Sequence, residues 1–208
     1  LGAVTSTQIV VNDPNLKPEI SDSVDLSVEY TQGFGRVRVS LFQDDVQDTI
    51  WNQNNAFVFR SPSIVQNIDR VRTRGVETAF SIAQVGIETL SLEGSLAYAE
   101  ARILENANHP DYVGNWWPRV PDWRGNLQAV WRPIRAWRGS LGFRCSGKTF
   151  GRLENDDSNG DTYGGISRVN AWDGRVAYTM DNGTEIAVGI DNITNDRSYQ
   201  SHPYPSRT

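Results

Sequence analysis

The sequence predicts an all-β protein, an antiparallel up-and-down meander of about eight strands that fits the wall of a membrane barrel. Three observations predict it. Apolar residues recur with period two along most of the chain. Short and long connections alternate between those runs. Aromatic residues gather near the run ends.

Strict alternation places every apolar side chain on one face of a strand. Val24, Leu26, Val28 and Tyr30 alternate with Asp25, Ser27 and Glu29, predicting a strand over 23–31. Val37, Val39 and Leu41 alternate with Arg36, Arg38 and Ser40 in the next, over 35–50. A third strand is expected over 67–81, and Leu90, Leu92, Leu96 and Tyr98 mark a fourth over 88–101. Trp123, Gly125, Leu127, Ala129 and Trp131 carry the fifth, over 122–132, and Leu141, Phe143 and Cys145 the sixth, over 138–149. Val176 and Tyr178 lie in the seventh, over 168–180, and Ile186, Val188 and Ile190 in the eighth, over 184–193. No stretch repeats apolar residues at helical spacing. Several of these strands exceed the usual ~5–6 residues and match the ~9–11 that a tilted strand needs to cross a bilayer.

The connections at Thr31-Gln-Gly-Phe-Gly35, Ala83-Gln-Val-Gly-Ile87, Pro133-Ile-Arg-Ala-Trp137 and Asp181-Asn-Gly183 are short. Those at 51–66, 102–121, 150–167 and 194–208 are long. A meander therefore collects its short turns at one end and its long loops at the other, as outer-membrane barrels do. Trp51, Trp123, Trp131, Trp137, Trp172, Tyr30 and Tyr98 sit near strand ends, where barrels carry aromatic girdles. The opposite face carries Asp25, Glu29, Arg36, Arg38, Glu93, Arg124, Arg144 and Arg175. It would line a lumen in a barrel and meet solvent in a β-sandwich, which remains the alternative on periodicity alone.

Composition narrows the function classes. The chain has 208 residues, 20 Lys+Arg against 25 Asp+Glu, and a formal charge of -5, which argues against nucleic acid as the main partner. No apolar run reaches the ~18 residues of a membrane helix. Seven Trp, seven Tyr and seven Phe are too many for a disordered tail. One cysteine, Cys145, excludes an internal disulfide framework.

Several segments, in order, resemble one family. Asn12-Asp-Pro-Asn-Leu-Lys-Pro-Glu19 resembles the N-P-x-L-K-P-E segment of TonB-dependent outer-membrane receptors. Leu41-Phe-Gln-Asp-Asp-Val-Gln-Asp-Thr-Ile50 is similar to the strand that follows it. Asn67 to Glu77, with Gly75, resembles N-x-x-x-A-x-x-x-G-x-E, and Pro118 to Leu127 resembles the family's P-x-x-P approach to a strand. Gly189-Ile-Asp-Asn-Ile-Thr-Asn195 and Tyr204-Pro-Ser-Arg-Thr208 are similar to G-V-x-N-L-F-D and P-G-R-T. The resemblance implies the C-terminal part of a ~22-stranded barrel plugged by a separate N-terminal domain. It places the plug, the TonB-contacting box and a final strand outside residues 1–208.

No nucleophile elbow, P-loop or dinucleotide motif is present, and no enzymatic role is expected. Asn155-Asp-Asp-Ser-Asn-Gly-Asp161 has the oxygens of a Ca²⁺ loop, but Ile166 stands where the bidentate acid belongs, so a polar loop is expected. His109 and His202 lack a second His or Cys at ligand spacing, and neither a metal centre nor a cofactor is expected. Cys145 reads as a small side chain on the apolar face. The candidate ligand-binding residues are His109, Tyr112, Trp116 and Trp117 in one long loop and Tyr163 in the next. Aromatic surface with a few polar groups is what recognition sites use, although such a loop can equally pack on itself.

The resemblance implies an outer-membrane receptor of a Gram-negative bacterium that imports a bulky nutrient, chiefly a ferric siderophore. Its expected partners are outer-membrane lipid, the plug and remaining strands of the same receptor, TonB and the ligand. The alternative is a self-contained eight-stranded barrel acting as an adhesin or structural protein.

Overall fold

The computed structural model describes residues 10–53, 63–156 and 165–199. Its strands are β1 (Val10–Asn12), β2 (Ile20–Gln32), β3 (Gly35–Gln53), β4 (Ser63–Ile82), β5 (Leu90–Glu105), β6 (Trp123–Ile134), β7 (Trp137–Ser146), β8 (Val169–Thr179) and β9 (Glu185–Ile190). β2 to β9 form one antiparallel meander in chain order. Short turns at 33–34, 83–89, 135–136 and 180–184 lie at one end, and the long connections lie at the other. Gly183 closes the Asn-Gly turn with φ 85, a conformation that costs glycine little. Among the described residues β9 does not pair with β2, so the eight strands form an open sheet rather than a closed eight-stranded barrel.

Register carries the apolar alternation from strand to strand. Leu26, Leu41, Val76, Tyr98 and Trp123 lie in one row across β2 to β6. Leu127, Phe143 and Trp172 form another across β6 to β8. This face is open: Leu26 is 64% and Val28 67% exposed. In water such a face would aggregate, whereas in a bilayer it is solvated by lipid tails. Aromatics bound it in two tiers. Tyr30, Trp131, Trp137 and Tyr178 stand near the short turns, and Tyr98 and Trp123 near the long loops. Cross-strand rings pack in both, at 4.9 Å for Trp137 and Tyr178 and 4.8 Å for Tyr98 and Trp123. From Trp123 to Trp131 the strand runs ~26 Å, which a barrel tilt reduces to about the height of the apolar band.

The opposite face is polar and small. Arg144 is paired with Asp173 at 2.8 Å, and Arg138 and Arg175 share Glu185 at 3.1 and 3.6 Å. Glu29, Arg36, Arg38, Glu93, Ser95 and Asn126 line an open hollow of about 390 Å³. On the same face the ring of Phe42 lies over Gly75. A Cβ there would clash with the Tyr98 carbonyl oxygen, so only glycine fits beneath the ring.

β3, β4 and β5 are longer than the sequence reading expected, and along them the two faces exchange character. The outward row of β4 changes from Phe80, Thr78 and Val76 to Arg74, Arg72 and Arg70. That of β5 changes from Leu96 and Tyr98 to Glu100 and Arg102, and that of β3 from Leu41 to Gln43 and Asp45. Inward, Glu77 and Glu93 give way to Val71, Ala101 and Ile103. The outward charges are bridged in pairs: Asp45 holds Arg70 and Arg72 at 3.0 and 3.1 Å, and Glu100 holds Arg74 and Arg102 at 2.7 and 3.4 Å. Lipid therefore ends below Arg74, and β4 continues upward from there to Ser63, roughly 36 Å along the strand.

A further difference lies at the start of the chain. β1 pairs in parallel with the upper end of β4, where β5 has already ended. The following segment crosses the β3–β4 hairpin to reach β2. Asn67 holds this strap: its Oδ1 accepts from Lys17 N at 2.8 Å, and its Nδ2 donates to the carbonyls of Lys17 at 3.0 Å and Asp48 at 2.6 Å. Lys17 Nζ lies 3.4 Å from the Asp48 carboxylate, and Ile50 N donates to Glu19. Three of the family-like segments, 12–19, 41–50 and 67–77, thus meet in one clamp. Asn67→Ala is expected to weaken it by about 1–3 kcal/mol, because main-chain groups lose their partners. Amide hydrogen exchange over 13–19 should quicken while the barrel strands stay protected, and unchanged exchange would remove the clamp from the account.

Candidate functional site

Above the membrane band the inner wall is apolar, and two long loops fold onto it. Trp51, Ile68, Val71, Ile103 and Leu153 form a buried cluster, with Tyr112 and Trp117 packed against it. Leu153 comes from the loop after β7 and is 0% exposed. Trp51 meets Trp117 edge-on at 5.0 Å. The sequence reading assigned Trp51 to a girdle. Instead it sits in this cluster at 6% exposure, because β3 runs on past the membrane band.

Backbone pairing fixes the first loop to the wall. Ile103 N donates to Asn115 O, Gly114 N to Ile103 O and Trp117 N to Ala101 O, at 2.9–3.0 Å. Side-chain amides bind the second loop to the first. Asn155 Oδ1 accepts from Trp116 N at 2.7 Å, and its Nδ2 donates to Trp116 O at 2.9 Å, imitating a strand pair. Asn155 has φ 56, a left-handed conformation that asparagine tolerates. Asn115 Nδ2 donates to Leu153 O at 2.9 Å, and Arg119 N donates to Phe150 O at 2.7 Å. The two loops make one lobe at the mouth of the lumen.

The lobe separates the predicted site residues. His109 stacks on Tyr112, with ring centres 4.7 Å apart and planes 12° apart, and its side chain is 46% exposed. Its Nδ1 lies 3.9 Å from the Asp111 carboxylate. The Tyr112 hydroxyl donates to Glu154 at 3.2 Å, and burial, followed by the Glu154 charge, pushes its phenol above the usual range. His109 and Tyr112 therefore present one aromatic edge. Trp117 stands behind it in the cluster. Trp116 pairs with Arg102 on the outer side, where the guanidinium lies 3.9 Å above its ring. Tyr163 and His202 lie outside the described residues.

Arg119, Lys148, Leu153 and Asn155 were not singled out by sequence reasoning. Asn155 lay within the stretch that looked like a Ca²⁺ loop, and its amide is committed to Trp116 and to the Arg152 carbonyl. No cluster of metal-ligating residues occurs among the described residues.

The family profile described as "TonB dependent receptor-like, beta-barrel" matches residues 2–193. No protein of curated function matches the chain significantly. Among solved structures, the unliganded ferric citrate transporter FecA is similar with a TM-score of 0.67 and 24% identity, over 85% of this chain and 26% of that one. The ferric yersiniabactin uptake receptor FyuA from Yersinia pestis has a TM-score of 0.67 at 15% identity, over 89% and 27%. The copper transporter OprC has a TM-score of 0.67 at 18% identity, over 90% and 28%. The chain spans about a quarter of each of these structures' length. At such identities the likeness shows the fold, while the profile match covers most of the sequence. The chain belongs to the TonB-dependent receptor family, as a section of its β-barrel.

Proposed function

We propose that residues 1–208 are the C-terminal part of the barrel of a Gram-negative outer-membrane receptor that imports a bulky nutrient, most often a ferric siderophore in this family. A plug domain, the remaining strands and the TonB-contacting segment belong to the rest of that receptor. The single observation that carries this reading is the exchange of polarity along β3, β4 and β5. It supports reading the lower part as a lipid-solvated wall and the upper part as a ligand-facing mouth. The structures similar to this chain include receptors for ferric citrate and ferric yersiniabactin. The contact surface we assign is His109 and Tyr112, with Tyr163 on the neighbouring loop. Trp117 supports that surface from behind, and Trp116 closes the outer side.

The test is uptake of radiolabelled iron chelates by iron-starved cells that carry or lack the full-length receptor. Loss of one chelate's uptake on deletion supports the reading. His109→Ala with Tyr112→Ala should then raise that chelate's Kd about tenfold, the effect of losing one or two contacts. Undiminished uptake of every chelate in the deletion strain would reject iron import. Unchanged affinity in the double variant would move the contact surface elsewhere.

A further inference from the structure

We propose that the membrane face of β6 to β9 holds one anionic phospholipid from the leaflet beside the short turns, with an acyl chain in a hollow of the wall and its phosphate at Arg132 and Arg135. The assignment rests on the membrane reading of the sheet and is independent of what the receptor imports.

Two glycines among large apolar neighbours make the hollow. Gly139 lies in register between Trp131 on β6 and Val176 on β8. Gly174 lies between Leu141 on β7 and Ile190 on β9, one row further from the short turns. The two gaps are diagonal neighbours on adjacent strands, and they join into one open depression of about 480 Å³. Ile193 closes its upper end, where its Cδ1 would lie 3.1 Å from a Cβ on Gly174. Every outward side chain that borders the depression is apolar, and Arg175 turns its guanidinium to Glu185 on the other face. A lipid tail lying in such a depression touches protein on several sides, where a flat wall offers it one, and the added dispersion contacts hold it in place.

Charge says which lipid fits. Gly139 is two residues above Trp137, ~7 Å along β7. Trp137 pairs with Ile134, which leads into the turn at 135–136. Arg132 and Arg135 stand on either side of Ile134 in sequence, and all three are exposed. The β6–β7 ladder breaks between Trp131 and Ile134, where Pro133 has no N–H to give it. Arg138 and Arg175 are taken by Glu185, whereas Arg132 and Arg135 form no ion pair among the described residues. The other short turns carry no charge at 33–34 and an acid at the rest, Glu88 at 83–89 and Asp181 at 180–184. A tail in the hollow therefore brings its phosphate to the height of two uncommitted guanidinium groups, which match phosphate oxygens in geometry and charge. An ammonium in the headgroup would offset that attraction, so an anionic headgroup is favoured over a zwitterionic one.

The experiment titrates the full-length receptor, delipidated in detergent, with phosphatidylglycerol or with phosphatidylethanolamine of the same acyl chains, and counts bound lipids by native mass spectrometry. The wild type should bind a first phosphatidylglycerol about tenfold more tightly than phosphatidylethanolamine and than any further lipid. Gly139→Leu fills the hollow, and a Cβ there meets nothing within 4 Å, so the strand keeps its place. It should weaken the first phosphatidylglycerol about tenfold. Arg132→Glu with Arg135→Glu, at an exposed turn, should remove the preference between the two lipids while one of either still binds in the hollow. Unchanged first affinity in Gly139→Leu, equal affinity of the wild type for the two lipids, preference retained in the arginine variant, or binding with no saturable first site would each overturn the proposal.

Discussion

Leu127→Arg in the full-length receptor is expected to cost the barrel about 2–4 kcal/mol, the penalty for a cation near the bilayer midplane. Gln128→Arg, one residue further on, is expected to change stability by less than about 0.5 kcal/mol. Leu127 stands midway between Trp123 and Trp131 and lies in register with Gly94 and Phe143 on the outward face. Gln128 points the other way, in register with Glu93 and Gly142, where water and a neighbouring carboxylate accept a cation. Adjacent positions on β6 meet opposite faces because side chains alternate along a strand. Urea titration of the barrel folded into lipid vesicles measures both variants. Similar costs for the two would mean that the faces meet the same solvent, and the membrane reading of the sheet would fail.

Leu153→Ala is expected to release the loop lobe. Leu153 is fully buried among Trp51, Ile68, Val71 and Ile103, and truncating a buried leucine costs about 2–5 kcal/mol. The loss falls on the lobe rather than on the barrel, since Leu153 belongs to a loop and the strands keep their ladders. Hydrogen exchange and limited proteolysis over 106–122 and 147–156 should quicken together, because Asn155 ties the loops at Trp116. Barrel melting should not move. Quickening in the second loop alone would show that the two loops move independently.

Much of this fold is visible in the sequence because barrel strands must alternate. The pairs Val28–Val39 and Leu127–Phe143 follow directly from period-two counting once the hairpin turns are placed. The upper wall was harder to see for the same reason. Arg70, Arg72 and Arg74 continue the alternation with no break, and nothing local marks that their face has changed solvent. Strap and lobe were hidden because their contacts join residues far apart in the chain. Asn67 reaches Lys17, and Asn155 reaches Trp116, through side-chain amides that have no periodicity. The candidate site was legible as an aromatic loop, but which ring would be buried was not. Neighbouring Trp116 and Trp117 are divided between the outer side and the inner cluster by strand parity beyond β5. That parity depends on the loop's rejoining β5 at Ala101, Arg102 and Ile103.

The central claim is that this sheet crosses an outer membrane with its long loops outside and its short turns inside. Cysteine labelling in whole cells tests it most directly. In a full-length receptor carrying Cys145→Ser, a membrane-impermeant maleimide should label Asp111→Cys on intact cells. Asp181→Cys, in the β8–β9 turn, should be labelled only after the outer membrane is opened. Labelling of both on intact cells, or of Asp181→Cys alone, would contradict the account.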